Sequence, residues 1–516
     1  MLQTEMVVNH DERVGRRVAV GIWHGTVRYV GSVPPAQGLW LGVEWDDPSR
    51  GKHNGSHNGV HYFHTSHPTS GSFIRIEKAD FGRSCVSAIQ ERYGSNELTL
   101  TVEELQELQR AMNAPLVEMV GFEEVKQLQS CFSSLEIVCL SKLQVSSAGE
   151  GLPSMCPRAR HVDLASNLLN SWLQLAEITV NFPAMQFLNI SDNRLEIPDN
   201  PENLTSAFNQ MTHLVSGHMN YTWDQICECS KMWPQLERLQ VPFNKITNIS
   251  LPMYALENLI ELDLEGNSIA QWEEINKLGT LKKLETLNLC DLGLTNISIP
   301  ASQNLFPSLQ CLMISSNNIS KWNDISELEK LPKLEELKFT NNPVQDNLSV
   351  ETVYYKVVCR IGTLKVLNRK IVTREERRSA ELEYLKECGR EWLEVSNDEA
   401  LKTKFVATHP RYPIIVKKYG AAEESELKKT NQSVASSLVR VTLQGPDKAV
   451  TMSLPKTMQI KNLLPLVAKM FNTGGAVPTL CRKSSKNAKI IVEMTSPLKT
   501  LDYYSVEDGD EISVRW

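Results

Sequence analysis

The sequence predicts a multidomain chain: a small all-β barrel first, an α/β solenoid through the middle, and a small mixed α/β domain last. Three observations predict it. Before residue 80, strand-like runs alternate with Gly and Pro turns. From about residue 138 to 344, the pattern apolar-x-apolar-x-x-Asn-x-apolar returns again and again. After residue 437, two alternating strand-like runs precede one amphipathic helical stretch and a final strand.

The general bounds agree. A chain of 516 residues accommodates roughly three domains of typical size. Hydrophobic residues make up 41% and charged residues 22%, as in soluble globular chains. A net charge of −7 argues against an obligate nucleic-acid binder, which needs a basic stripe. No apolar run approaches the ~20 residues of a membrane span. The start, "MLQTEMVVNHDERVGRR", has no apolar core and no small-residue cleavage site, so no signal peptide is expected. The 11 cysteines are scattered, and Cys227 and Cys229 lack a second pair at zinc-site spacing. Reduced thiols in a cytosolic protein are expected. The "NIS" triplets at 248, 296 and 318 then read as repeat architecture rather than as glycosylation sites.

Residues 1–80 contain "GTVRYVG", "GLWLGVEWDDPSRGK", "NGVHYF" and "GSFIRI" in that order. Between them lies "RGKHNGSHNGVHYF", with two Asn-Gly pairs, Lys52 and three histidines. Glycines and Asn-Gly pairs accept positive φ and bring backbone N–H groups close to a ligand. Lys52 supplies charge, and the Asn54 amide donates to or accepts from peptide groups. Trp40, Trp45 and Phe73 are candidates to wall an apolar slot, with plain core packing as the alternative for Trp40 and Phe73. A phosphate-binding P-loop does not fit, because Asp46 and His53 stand where Gly and Ser/Thr are needed. A metal site would draw on His53, His57, His61, His64 and His67, but no cysteine or carboxylate stands at motif spacing, and none is expected.

These landmarks resemble the CAP-Gly domain of microtubule-associated proteins. The signature loop of that family is Gly-Lys-Asn-Asp-Gly; here it reads Gly51-Lys52-His53-Asn54-Gly55, so its third and fourth positions differ. The resemblance implies a site for acidic C-terminal tails ending in Glu-Glu-Tyr or a similar aromatic, as in α-tubulin. It would be built from Trp40, Gly51, Lys52, His53, Asn54, Gly55 and Phe73.

Residues 81–130 carry no motif and read as a helical connector. The repeats follow, within 131–395. "HVDLASNLL", "FLNISDNRL", "RLQVPFNKI", "ELDLEGNSI", "CLMISSNNI" and "ELKFTNNPV" place Asn167, Asn193, Asn244, Asn267, Asn317 and Asn342 at one position. "TLNLCDLGL" has Leu292 there, "VCLSKLQV" has Leu143, and "LVSGHMNYT" fits poorly with Asn220 in place. The alternating apolar pair makes a short strand, and a buried Asn satisfies backbone groups where the chain turns off it. This is the leucine-rich-repeat pattern: stacked strands, a curved parallel sheet and a required cap. "YYKVVCRIGTLKVLNRKIVTREER" (354–377) resembles the closing motif of intracellular leucine-rich-repeat proteins. Asp163, Asn189, Ser216, Gln240, Asp263, Asn288, Met313 and Lys338, between the apolar pairs, are expected on the concave face. That face is either plain solvated sheet or a partner surface, for which Asp163, Asn189, Gln240, Asp263, Asn288 and Lys338 are candidates. A charged helix is expected from Thr373 to about Val395, opened by a Thr373/Glu376 capping box. Residues 396–436 read as a linker, polar and aperiodic from 420.

In 437–516, "VRVTL" and a run near 448–454 flank a Gly-Pro-Asp turn and read as a hairpin. Ile460, Leu463, Leu464, Val467, Ala468 and Phe471 share one helical face. "LDYYSVEDGD" then "EISVRW" resembles the end of β-grasp ubiquitin-like domains. The chain ends Arg515-Trp516 without a Gly-Gly tail, so a docking module rather than a transferable tag is expected.

CAP-Gly barrel, leucine-rich-repeat solenoid and ubiquitin-like domain, in that order, resemble the cofactor E family of tubulin-folding chaperones. The resemblance implies a cytoplasmic, cytoskeleton-associated protein that binds α-tubulin released by the cytosolic chaperonin. With cofactors D and C it would assemble the αβ-tubulin heterodimer in a step coupled to GTP hydrolysis on β-tubulin, and with cofactor B take heterodimers apart. The ubiquitin-like domain would contact another cofactor, the proteasome or another receptor. No cofactor, nucleic acid or membrane is implied. The alternative is a microtubule-lattice or microtubule-end binding protein, which the absence of sustained heptads and the net acidity disfavour. An enzyme of the ubiquitin pathway is the third class; the sequence has no local nucleophile–base motif, zinc-binding cysteine array or nucleotide loop, and no enzymatic activity is expected.

Overall fold

The computed structural model describes residues 11–94, 132–152, 155–251, 256–300, 303–395, 398–421, 438–474, 476–483, 485, 491–497 and 499–516. It divides into two compact units, Met1–Ala421 and Ala422–Trp516.

The first unit opens with the barrel. Strands Arg17–Val20, Trp23–Val33, Ala36–Trp45 and Gly71–Arg75 form one antiparallel sheet in that order. Register shifts between Val27 and Tyr29 and between Gly31 and Val33 bend the long second strand. Alternation then feeds two separate cores. Val18, Val27, Val30, Leu41, Val43, Trp45 and Ile74 form one. Tyr29, Val33 and Phe63 form the other, with Trp40, Tyr62 and Phe73 against it.

Leaving the barrel, Arg83–Ser84 pairs in parallel with Val145–Ser147 of the first repeat. Helix Cys85–Gly94 follows and buries Cys85, Ala88 and Ile89 in the same core as Val138 and Leu140. The stretch expected as a connector therefore begins as a cover for the open end of the solenoid. Residues 95–131 lie outside the described residues.

The solenoid is one sheet of eleven strands, from Ile137–Cys139 to Lys370–Ile371. All pairings are parallel except the last, where Lys370–Ile371 turns back on Val366–Leu367. Each ladder asparagine works the same way. The Asn317 amide donates to the carbonyls of Leu289 (2.8 Å) and Ile314 (3.2 Å), and its Oδ1 accepts from the N–H groups of Leu292 (3.1 Å) and Leu294 (3.0 Å). One buried side chain thus satisfies donors and acceptors of two repeats.

The same bonds correct the register of one repeat. Asn244 Oδ1 accepts from Met219 and Tyr221 N–H, so Met219, not Asn220, holds the ladder position. Met219 is buried and Asn220 is exposed. Ser216 is accordingly buried, and Val215 takes the concave position expected for it. Met219 carries no asparagine signal, the flanking "LVSGHMNYT" fits the pattern poorly, and the neighbouring Asn220 drew the frame off by one.

Helices on the convex side begin at Trp172, Trp223, Trp272 and Trp322, in alternate repeats. The first three tryptophans are fully buried at the first helical position. Ser171 and Thr222 cap the first two, and Thr222 with Gln225 forms a capping box.

The far end closes with helix Val350–Val358 and helix Arg374–Val395. The expected capping box is present: Thr373 N–H donates to Glu376 (3.1 Å), and Glu376 N–H to Thr373 Oγ1 (3.2 Å). Residues 399–419, expected within a linker, instead form helices Glu399–Thr408 and Tyr412–Tyr419. Phe405, Tyr412 and Ile415 bury into the solenoid core. The fully buried Glu381 carboxylate fastens them, accepting from Arg411 Nη2 (2.8 Å), Lys418 Nζ (2.7 Å) and Tyr419 Oη (2.9 Å). Residues 422–437 lie outside the described residues.

The second unit, taken by itself, has a β-grasp arrangement. Hairpin Leu438–Gln444/Ala449–Pro455 leads into helix Ile460–Phe471. Thr479–Lys483, Ile491–Glu493 and Glu511–Arg515 complete a five-stranded sheet whose last strand lies parallel to the first. The helix buries Ile460, Leu463, Val467 and Phe471, with Leu464 partly covered. Asp510, wholly buried, accepts from Arg482 Nε (2.6 Å) and from Ser485 N–H (2.8 Å).

Candidate functional site

The loop Gly51–Gly55 is zipped to the start of strand Gly71–Arg75. Lys52 and His53 N–H groups donate to the Gly71 carbonyl (2.7 and 3.1 Å), and Gly71 N–H donates back to His53 (2.7 Å). The two Asn-Gly pairs have different tasks. Asn54 Oδ1 accepts from Ser56 N–H at 3.3 Å, an Asx turn. Gly55 follows at φ +91, and a Cβ on it would run into the Phe63 carbonyl oxygen. Asn58 and Gly59, both at positive φ, make the tip of a two-residue hairpin between Ser56–His57 and Val60–His61.

His53 belongs to the scaffold of this loop. Its Nδ1 accepts from Gly55 N–H (3.0 Å), which assigns the ring proton to Nε2. The ring lies 5.1 Å from Phe73. Burial, then His57 and Lys52, hold its pKa below the ordinary histidine value, so the acceptor form prevails at neutral pH. Lys52 and Asn54 are exposed.

Phe73 is the centre of an aromatic cluster. Tyr62 (5.3 Å), Phe63 (5.5 Å), His57 (6.1 Å) and Tyr29 (6.2 Å) stand edge-on around it. Trp40 joins its margin, with the Arg75 guanidinium 3.9 Å over its ring. Trp45 does not join: at 2% exposure it is buried in the other barrel core, under Arg50. Gly51, Lys52, His53, Asn54, Gly55, Phe73 and Trp40 thus gather along one side of the barrel. Tyr29, Tyr62 and Phe63 were not among the predicted wall residues, and His57 was weighed only as a metal ligand; the "HYF" after the second Asn-Gly pair was the signal for Tyr62 and Phe63, while Tyr29 and His57 had none of their own. Among the described residues, no group of three or more His, Cys, Asp or Glu side chains is placed to hold a metal ion.

On the repeat sheet, Asp163, Asn189, Gln240, Asp263, Asn288, Met313 and Lys338 fall in one row, with Val215 as the missing member. Several of these side chains are already engaged. Asp163, Asn189, Asp263 and Asn288 each accept from the N–H two residues on, at 2.9–3.1 Å, closing the turn after the strand. Asn288 also donates to Glu265 and is largely buried. Burial pushes the Asp263 carboxyl up. A second outward row, two residues earlier, has a distinct chemistry: His161 stacks on Phe187 at 5.1 Å, and Phe187 meets His213 at 4.6 Å. Exposed Ile137 stands next to this stack.

The geometry can be set beside known proteins. The CAP-Gly domain family matches residues 14–79, and the leucine-rich repeat family matches residues 235–394. Tubulin-specific chaperone E of Danio rerio is 40% identical over 98% of this chain and 99% of its own length. That of Homo sapiens is 36% identical, covering 98% of each chain. The Drosophila melanogaster protein is 31% identical over 97% of this chain and 98% of its own. The order of barrel, repeats and β-grasp unit, and similarity along the whole length, place this chain in the tubulin-specific chaperone E family.

Proposed function

We propose that this chain is a non-catalytic tubulin-folding chaperone acting in the cytoplasm and on the cytoskeleton. It captures α-tubulin by the acidic C-terminal tail and holds the folded body against the repeat sheet. The observation that carries the reading is the Gly51–Gly55 loop, with exposed Lys52 beside the Phe73 aromatic cluster, in a chain of this family. The chemistry suits a chain end: the exposed Lys52 ammonium and Asn54 side-chain amide are donors for carboxylates, and the aromatic cluster receives a terminal ring. Tethering the tail raises the effective concentration of the tubulin body at the sheet, so two modest sites bind tightly together. The tail would enter first, the αβ heterodimer would be assembled with cofactors C and D, or taken apart with cofactor B, and the β-grasp unit would dock another cofactor or a receptor such as the proteasome.

Size-exclusion chromatography of the full chain with αβ-tubulin, with and without the α-tubulin tail, tests this. A complex holding only α-tubulin, weakened by removing the tail, is the expected result. Binding of intact heterodimers or only of polymers would favour a lattice-binding protein instead. Lys52→Ala is expected to weaken binding of an isolated tail peptide about two- to fivefold; unchanged affinity removes Lys52 from the mechanism.

A further inference from the structure

The aromatic cluster does not end at the barrel surface. Tyr29, Tyr62 and Phe63 also line a cleft of about 820 Å³ between the barrel and the repeats. The barrel is held there by Asn170, whose amide donates to the Gly15 carbonyl at 3.1 Å. Across from the aromatics, Arg194, Asn220 and Lys245 line the cleft. They come from successive repeats, each one residue past the ladder position, and so form a row along the solenoid edge.

The charges in the cleft divide into paired and unpaired. Arg17 is paired with Asp46, and Arg28 with Glu44 at 2.8 Å. Arg194 and Lys245 are different. Arg194 Nη1 donates only to the carbonyls of Asn193 and His218, and no carboxylate lies within ion-pair distance among the described residues. Lys245 is exposed, and among the described residues its side chain has no hydrogen-bond or ion-pair partner. Glu196, on the same rim, is the opposing carboxylate without an ion-pair partner among the described residues. Asp46 and Asp192 also act on Arg194 electrostatically without pairing with it, and Arg17 offsets Asp46. Arg194, half-buried and held by carbonyls, and Lys245 are therefore the cleft cations left without an ion pair among the described residues, and they form a wall suited to an acidic chain.

We infer that the repeats extend the tail site: the acidic segment upstream of a bound C-terminus runs through this cleft, where Arg194 and Lys245 take its carboxylates. The inference rests on the reading of the barrel groove as a tail site. The distances fit. His53 contacts Phe73 (5.1 Å) and Phe73 contacts Tyr62 (5.3 Å), which lines the cleft, so the loop lies no more than about 10 Å from the cleft wall, roughly three residues of extended chain. The barrel alone reads the end of the tail; barrel and repeats together read its acidity.

Two synthetic peptides test this on the full chain: the terminal Glu-Glu-Tyr alone, and a peptide of about ten residues with acidic residues upstream, long enough for groove and cleft. Titration should give about tenfold tighter binding of the long peptide at low salt, an advantage that shrinks as salt rises. Lys245→Glu and Arg194→Gln should each remove most of that advantage and leave the short peptide unchanged. Arg194→Gln removes a guanidinium that bonds two carbonyls, so its melting temperature is checked. Lys245→Glu changes only an exposed side chain and keeps the test open if the first variant unfolds. Equal binding of both peptides to the unchanged chain, or equal loss of both in Lys245→Glu, overturns the inference while the groove reading stands. A long peptide that fails to bind while the short one binds likewise overturns the inference alone, and failure of both peptides to bind overturns the groove reading itself.

Discussion

Gly55 and His53 show how much of the tail loop is scaffold rather than contact. The loop keeps its shape because Gly55 sits at φ +91 against the Phe63 carbonyl, and because His53 Nδ1 receives the Gly55 N–H. Gly55→Ala is expected to strain the loop by about 1–3 kcal/mol and to abolish detectable tail-peptide binding; calorimetric titration checks the binding and thermal melting the cost. Protonation of His53 replaces the acceptor by a donor. Its folded pKa is lowered, so its contribution is fully present above the unfolded value near 6.5 and is lost as pH falls through the depressed folded value. The Gly55 amide signal in NMR should therefore hold its position at neutral pH and move on acidification. A signal that shifts only near pH 7 would contradict a lowered pKa.

Among the elements, the terminal helices depend on one carboxylate. Glu381 is buried beneath helices Glu399–Thr408 and Tyr412–Tyr419 and ties Arg411, Lys418 and Tyr419 together. Burial pushes its carboxyl up, but the bonds from Lys418 and Tyr419 and the Arg411 charge outweigh it and hold the pKa below the ordinary value. A lowered carboxylate pKa stabilises above the unfolded value of about 4.3 and ceases to do so as pH falls through the folded one. Glu381→Gln leaves Arg411 only the longer pair to Glu329 (3.5 Å) and strips Lys418 of its carboxylate, and is expected to cost about 2 kcal/mol, below the ~3–5 kcal/mol of a fully orphaned buried charge. Hydrogen exchange should rise first in residues 399–419, ahead of the repeat strands. Uniform protection across the unit would mean that the helices do not depend on this carboxylate.

At the scale of the whole molecule, two units with separate cores predict separate unfolding. The second unit has its own cluster, including Val441, Leu443, Leu463, Val467 and Ile512. A fragment covering Ala422–Trp516 is expected to unfold cooperatively by itself. Its acid limit should follow Asp510, whose pKa is raised by burial but lowered further by the Glu507 and Ser485 N–H groups and Arg482. Stability from that group is present above about pH 3.9 and falls away as pH drops through the lowered value. A non-cooperative melt of the fragment would show that it relies on the rest of the chain.

Most of the architecture was legible because its cause is local. Alternation at i and i+2 selects the strand face, the ladder asparagines bond within one repeat of themselves, and Gly and Asn-Gly mark the loop. The turn chemistry of the candidate loop was legible for the same reason, whereas the scaffold role of His53 and the aromatic neighbours of Phe73 were not. Trp40 and Trp45 were not separable, since the bent second strand and its partner decide which of two cores each one joins. Met219 in the ladder was invisible because only the bonds of Asn244 identify its place. Helices 399–419 looked like linker because Glu381 and the solenoid core, not a strong periodicity of their own, hold them. The cleft with Arg194 and Lys245 came from folding alone. Those residues lie far from Tyr62 in the chain, and a side chain's partner, unlike its propensity, is set by which distant segments pack beside it.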